Sequence, residues 1–194
     1  MTAADVEPVA ATSARAFYDD PLQVWALPDA ATRLAKLESM FALQTRVASL
    51  PLDECYTDDT CSVACFWAPP DQWQPPPGVV AELTPLRDIL AEGLPRFLLA
   101  MHAMHEMHPP APHWYLQGLG TDPPRQGEGL ASAALVPVLE RCDREQAAAY
   151  LESTKERNVA FYERHGWRVT GTIDLPDDGP RLWAMWRDPR PLVS

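Results

Sequence analysis

The chain has 194 residues, with 27 Asp or Glu against 16 Lys or Arg, a formal charge of −11 and a pI near 4.8. That excess of acid argues against a nucleic-acid partner, because phosphate binding needs a basic face that releases counterions. Apolar residues are 46% and charged residues 22%, which is globular usage and excludes disorder and fibres. No apolar run approaches the ~18 residues of a membrane span, and Met1-Thr2-Ala3-Ala4-Asp5-Val6-Glu7 lacks the basic flank of a secretory leader. One domain over residues 1–194, cytoplasmic and without a membrane partner, is expected.

Asp5 reads as an N-cap, and Val6, Val9, Ala10, Ser13, Ala16 and Phe17 recur at the spacing of a helix that ends before Asp19-Asp20-Pro21. Pro28-Asp29 starts a second helix over 30–48, with Leu34, Leu37, Phe41 and Ala48 on one side. Cys55-Tyr56-Thr57, a turn at Asp58-Asp59-Thr60 and residues 62–68 predict an antiparallel hairpin. A proline-rich loop carrying Trp73 follows. Thr84-Pro85 caps a helix with Leu86, Ile89 and Leu90, which Gly93 separates from another bearing Leu94, Phe97, Leu98 and Met101; Pro109 and Pro110 stop it.

Residues 113–121 predict a strand whose glycines at 118 and 120 indicate a bulge. After Asp122-Pro123-Pro124 comes Arg125-Gln126-Gly127-Glu128-Gly129-Leu130-Ala131, then a helical stripe of Leu135, Val138, Leu139 and Cys142. Residues 147–154 are a further strand and 158–165 a short helix closed by Gly166; 167–173 pairs with 182–186 across Asp177-Asp178-Gly179. Cys55, Cys61, Cys65 and Cys142 have no CxxC spacing and read as free thiols. His102, His105, His108 and His113 read as a helix end leading into a strand. His108 lies about 120° from His102 on a helix, and Glu106 stands in His-Glu-x-His, not His-Glu-x-x-His, so no metal is expected.

A strand feeding a glycine turn that opens a helix is a place to hold phosphates, since the first helical amides are unpaired donors and the dipole favours negative charge there. The stretch is neither the Walker pattern nor GxGxxG, and Gly-x-Gly before a helix also serves as a tight connection. Gln126-Gly127-Glu128-Gly129-Leu130-Ala131 fits the Gln/Arg-x-x-Gly-x-Gly/Ala motif of the GCN5-related N-acetyltransferases, the GNAT family. Strand 116–121, the turn with Pro123, strand Tyr150-Leu151-Glu152-Ser153-Thr154 and Asn158-Val159-Ala160-Phe161-Tyr162-Glu163-Arg164-His165-Gly166-Trp167 follow in that family's order. Residues 104–188 resemble its puromycin N-acetyltransferase-like actinobacterial members most, including Pro137 inside the helix and the ending Gly179-Pro180-Arg181-x-Trp183-x-Met185.

The resemblance implies the GNAT fold, an α/β mixed and mostly antiparallel sheet flanked by helices. It implies acetyl-CoA as co-substrate, no metal, and acetylation of a small-molecule amine by direct attack in a ternary complex. Backbone groups of Leu119, Gly120 and Thr121 would pair with the pantetheine arm, and amides of Gln126, Gly127, Glu128, Gly129, Leu130 and Ala131 would bind the pyrophosphate. Asn158 matches the asparagine beside the cofactor arm. Tyr162 matches the tyrosine that protonates the departing thiolate. An amide near Leu119 is placed to stabilise the oxyanion.

An acceptor amine is protonated at neutral pH and must lose a proton before it attacks, so a base is needed. Glu152, on the strand beside the expected cleft, is the first candidate, ahead of Glu106 and the pair Asp19-Asp20. Trp25, Trp67 and Trp73 fall in or beside the N-terminal half, where this fold sets acceptor specificity, and with the acidic composition they point to a cationic, partly hydrophobic amine. A non-catalytic acyl-CoA-binding module would use the same donor residues. Family members generally begin with a strand before the first helix, whereas here only residues 1–4 precede it, so a first strand is missing or the start was assigned late. The strand edge so exposed needs another segment or a second copy, as in a homodimer. Glu128 puts an acid in the phosphate turn, which is expected to weaken donor binding modestly.

Overall fold

Six strands make one sheet in the computed structural model, which describes residues 1–191. They are β1 (Cys55–Tyr56), β2 (Val63–Ala68), β3 (His113–Thr121), β4 (Ala148–Ser153), β5 (Arg168–Asp174) and β6 (Arg181–Arg187). Their spatial order is β1-β2-β3-β4-β6-β5, and only β3 and β4 are parallel. The helices are α1 (Val6–Ala16), α2 (Pro21–Ala26), α3 (Ala30–Gln44), α4 (Pro77–Glu82), α5 (Leu86–Leu90), α6 (Leu94–Met107), α7 (Leu130–Glu145) and α8 (Val159–Arg164). Among the described residues no helix is long and apolar enough to cross a membrane.

Strand alternation assigns the two faces. Val63, Cys65 and Trp67 of β2, Trp114 and Leu116 of β3, and Ala149 and Leu151 of β4 join Leu135, Val138, Leu139 and Cys142 of α7 and Tyr162 of α8 in the main core. The intervening residues face the other way, where Ala64 and Phe66 meet Val9 of α1, and Leu182 of β6 meets Leu22 of α2 and Ala100 of α6. With helices on both faces, all six residues of β2 are buried. The four cysteines are free and buried.

The hairpin, β3, α7 with Pro137 inside it, and the final strand pair stand where the sequence places them. Other features differ. Asp5 stands at the N-cap position of α1 but makes no side-chain cap there, because a 3-10 turn over Ala3–Asp5 precedes the helix and Asp5 reaches back to its cap: Thr2 N and Oγ1 donate to Asp5 Oδ2 at 2.7 and 2.9 Å. Asp19-Asp20-Pro21 stops one helix and starts the next, since Asp20 Oδ1 accepts from Leu22 N at 3.0 Å and Pro21 takes the first helical position. Likewise the proline-rich loop contains α4, opened by Pro77 at a position that has no need of an N–H. No strand precedes α1 among the described residues; the Met1 ammonium donates to Cys55 O at 3.1 Å.

A bulge sits in β3. Phe66 pairs with Gly118 and Trp67 with Leu116, leaving Gln117 as the extra residue. Further along, Gly120 lets α1 lie close on the strand, for a Cβ there would stand 2.9 Å from Phe17 Cε2 and 3.0 Å from Ala16 Cβ. Gly120→Ala is therefore expected to destabilise the fold by about 1–3 kcal/mol, read as a lower urea midpoint at unchanged slope.

Candidate active site

β3 and β4 pair through only three residues each, His113, Trp114 and Tyr115 with Ala148, Ala149 and Tyr150. Beyond these, β3 continues on β2 as far as Thr121, while β4 continues on β6 as far as Ser153. The Gln117 bulge bends β3 just past the last shared pair. One edge of β3 is thereby left without a strand partner, and the gap opens into a cleft of about 1820 Å³. Single small-molecule pockets are usually about 300–1,000 Å³, so this cleft has room for two substrates.

The turn after β3 forms one end of the cleft. Gly127 and Gly129 hold φ of 87° and 84°, and a Cβ on either would meet nothing within 4 Å, so glycine is needed there for conformation and the space above it stays open. Ala133 N donates to Gly129 O at 3.0 Å, whereas the amides of Gly129, Leu130, Ala131 and Ser132 find no acceptor among the described residues. These four donors stand at the positive end of α7, an anion cradle. Gln126 Nε2 donates to Thr121 O at 3.2 Å and ties the turn to the strand. Arg125, Lys155, Arg157 and Arg164 also line the cleft. The residues present fit a phosphate-bearing donor.

Glu128 is paired within the turn. Its carboxylate accepts from Arg125 Nε at 2.7 Å, and Glu128 is not part of the cleft wall, whereas Arg125 is. Leu119, Gly120, Thr121, Gln126, Gly127, Gly129, Leu130, Ala131 and Asn158 do line the cleft.

Glu152 and Tyr162 meet the same cleft. Tyr162 is 8% exposed, and burial raises its phenol above the ordinary range, so it stays protonated at neutral pH. Glu152 lies on the opposite face of the sheet from Leu151, beside Tyr150 on its own strand. Tyr115 Oη donates to Glu152 Oε2 at 2.8 Å. Oε1 of Glu152 and Oη of Tyr150 are buried without completing a hydrogen bond. Burial pushes the Glu152 carboxyl up to about 7, against the opposing pull of the Tyr115 and Tyr150 hydroxyls. It is thus poised to exchange a proton near neutrality.

The weaker base candidates are placed otherwise. Glu106 is exposed on α6 and outside the cleft wall. Asp19 pairs with Lys155 and Arg157. Asp20 reaches the cleft, but its two oxygens are taken by Leu22 N and Thr154 Oγ1. Of the tryptophans, Trp67 is wholly core, Trp25 donates to Asp177 O at 3.0 Å, and Trp73 lines the cleft.

The sequence reading missed the group behind Glu152. Tyr115 and Tyr150 stack at 6.0 Å, and His108 meets both rings edge-on while its own ring stacks on Trp73 at 3.6 Å. His113 opens β3, as the sequence reading has it, and is buried. Its Nδ1 donates to Ala111 O at 2.6 Å, so its Nε2 accepts from His108 Nε2 at 3.0 Å. Burial and the neighbouring imidazoles bring His108 down to about 4, so this packing is between neutral rings at pH 7.

A mixed sheet that parts over an anion cradle, with helices on both faces, defines the class: the acetyl-CoA-binding fold of acetyltransferases. The profile of the acetyltransferase (GNAT) family matches residues 52–167, and the chain belongs to that family. An uncharacterized N-acetyltransferase of Schizosaccharomyces pombe is 33% identical over 78 residues, which are 39% of this chain and 32% of that protein. The chain thus matches about a third of the length of that curated relative. The crystal structure of histone acetyltransferase HPA2 and related acetyltransferase from Corynebacterium glutamicum superposes with a TM-score of 0.71 at 28% identity, covering 100% of this chain and 96% of that one. Polyamine N-acetyltransferase of Drosophila melanogaster shares the fold at a TM-score of 0.59 and 16% identity, with 97% of each chain covered.

The raised Glu152 has a consequence for stability. Its folded-state proton affinity exceeds the ordinary 4.5, so its contribution is most favourable below about pH 4.5 and is lost as pH rises through about 7. The difference amounts to about 3 kcal/mol. Glu152→Gln, which mimics the protonated form, should be more stable than the parent at pH 8 by roughly that amount and nearly equal at pH 4; urea denaturation at the two pH values measures it.

Proposed function

We propose that this is an acetyl-CoA-dependent N-acetyltransferase, one domain, acting on a primary amine of a small molecule by direct attack in a ternary complex. The observation that carries the reading is one cleft holding the unpaired amides of residues 129–132, the Tyr162 phenol and the Glu152 carboxylate. The likeness of residues 104–188 to puromycin N-acetyltransferase-like members supports a small-molecule acceptor.

The amides of residues 129–132 and the nearby arginines would hold the pyrophosphate, the free edge of β3 at Leu119, Gly120 and Thr121 the pantetheine arm, and Asn158 would lie beside that arm. Acetyl-CoA, when bound, supplies an acyl carbon with a thiol leaving group. Glu152 accepts one proton from the acceptor ammonium and frees the nitrogen lone pair that forms the new C–N bond. Tyr162 gives its proton to sulfur as the C–S bond breaks and regains one from the nitrogen, which sheds its second. Glu152 then releases its proton to solvent, for a net release of one.

Thiol release from acetyl-CoA with a panel of primary amines tests this. Turnover with at least one amine is expected, and Tyr162→Phe and Glu152→Gln should each lower kcat by about 10²–10⁴-fold with CoA affinity retained in calorimetry. CoA binding without turnover by any amine would overturn it in favour of a non-catalytic acyl-CoA-binding module.

For the parent, kcat/KM should rise with pH through an apparent pKa of about 7, because Glu152 acts only when ionised. Tyr115→Phe removes a hydrogen bond to the ionised form, so the midpoint should move to higher pH by about one unit. A pH profile unaltered by Glu152→Gln would exclude this carboxylate as the base.

A further inference from the structure

The acceptor end of the cleft carries apolar surface that none of the described residues covers. Leu98 and Met101 of α6 are 55% and 38% exposed and Val80 of α4 is 54% exposed, and all three line the cleft. They are three of the eight exposed large hydrophobics among the described residues. Phe17 and Phe41, whose rings lie 5.3 Å apart, line it too. Exposed apolar side chains gathered on one concave wall mark a surface built for an apolar occupant.

Charge along the same wall is sparse. The acids that line the cleft are Asp20, Asp71 and Glu152. Asp20 already accepts from Leu22 N and Thr154 Oγ1, and Glu152 is engaged by the reacting nitrogen. Asp71 alone remains for any further positive charge, and Arg87 lines the same wall. A second ammonium would therefore have Asp71 as its one counter-charge and a third would have none, and each would lie against leucine, methionine and phenylalanine, which an ammonium gains nothing by covering.

We infer that the acceptor is a monoamine carried on an apolar or aromatic body, and that polyamines are poor substrates. The inference rests on the N-acetyltransferase reading and narrows it. Met40, Met101 and Met104 in the wall are pliable, so bodies of different shape should be accepted provided they are apolar.

The test is steady-state thiol release by the full chain with acetyl-CoA, comparing phenethylamine, hexylamine and phenylalaninamide with glycinamide, agmatine and spermidine. The apolar amines should exceed the others by about tenfold or more in kcat/KM, mainly through KM. Leu98→Glu, at an exposed position that tolerates charge, should lower kcat/KM for phenethylamine by about tenfold and narrow the gap to agmatine. Val80→Glu should act in the same direction, and calorimetric CoA affinity within about twofold of the parent verifies that each variant is folded. Agmatine or spermidine matching the apolar amines, or an unchanged ratio in both folded variants, would overturn the inference and leave N-acetylation standing. Release with none of the amines despite CoA binding would overturn both.

Discussion

The parting of β3 from β4 after three shared pairs is the constraint on which the site depends. Two parallel strands separate at a cost, because backbone groups along the opening lose their partners. Here each strand keeps its other neighbour, β2 for β3 and β6 for β4, so the sheet stays whole on both sides of the gap. The bulge at Gln117 turns β3 aside where the pairing ends. Because the turn and α7 follow directly from the end of β3, the free amides of that helix arrive at the mouth of the same gap. Tyr162, carried by α8 beyond the end of β4, reaches it from the other strand.

The three residues that still pair also make the environment of Glu152. They set Tyr115 opposite Tyr150, and Glu152 follows two positions later on the same face. Tyr115 can donate to that carboxylate only because the strands are still in register there. The result balances two opposing effects: burial favours the protonated acid, and tyrosine hydroxyls favour the carboxylate. Asp20 shows the other solution available to a buried acid in this cleft. It uses both oxygens on a helix cap and a threonine, and so anchors the start of α2 while having no free oxygen for a proton in transit.

Much of the donor end was legible in the sequence because it is written in local backbone demands. Two glycines at fixed spacing before an apolar helical stripe specify a turn with positive φ and unpaired amides, whatever lies elsewhere. The Tyr150–Glu152 relation follows from strand alternation alone. Tyr115 beside them does not, since a parallel register across a crossover helix leaves no mark in either strand. The same applies to His108 against His113, where a chain reversal brings a helix end onto a strand start. α2 and α4 were hidden for a different reason. Proline signals both stop and start, and only the Asp20 hydrogen bond to Leu22 or the open end at Pro77 decides which. The pairing of Glu128 with Arg125 three residues before it is a local relation of the same kind.

The two ends of the cleft are thus specified by different kinds of information, and this bears on what family membership can convey. The family match begins at residue 52 and ends at 167, a span that contains β1 to β4 and α4 to α8, and with them Val80, Leu98 and Met101 of the cleft wall. The segment from α1 to α3 lies before it, yet it supplies Phe17, Leu22, Met40 and Phe41 to the wall of the cleft. Backbone conformation at the donor end can persist through many substitutions, because any residue compatible with the dihedral angles will serve. The rest of the cleft wall is made of side chains from segments distant in sequence, and exchanging one of them alters its shape or charge without changing the strand pairing. A chain can therefore keep the parted sheet and the amide cradle while its acceptor changes, and the acceptor has to be read from the wall of this cleft and not from the family.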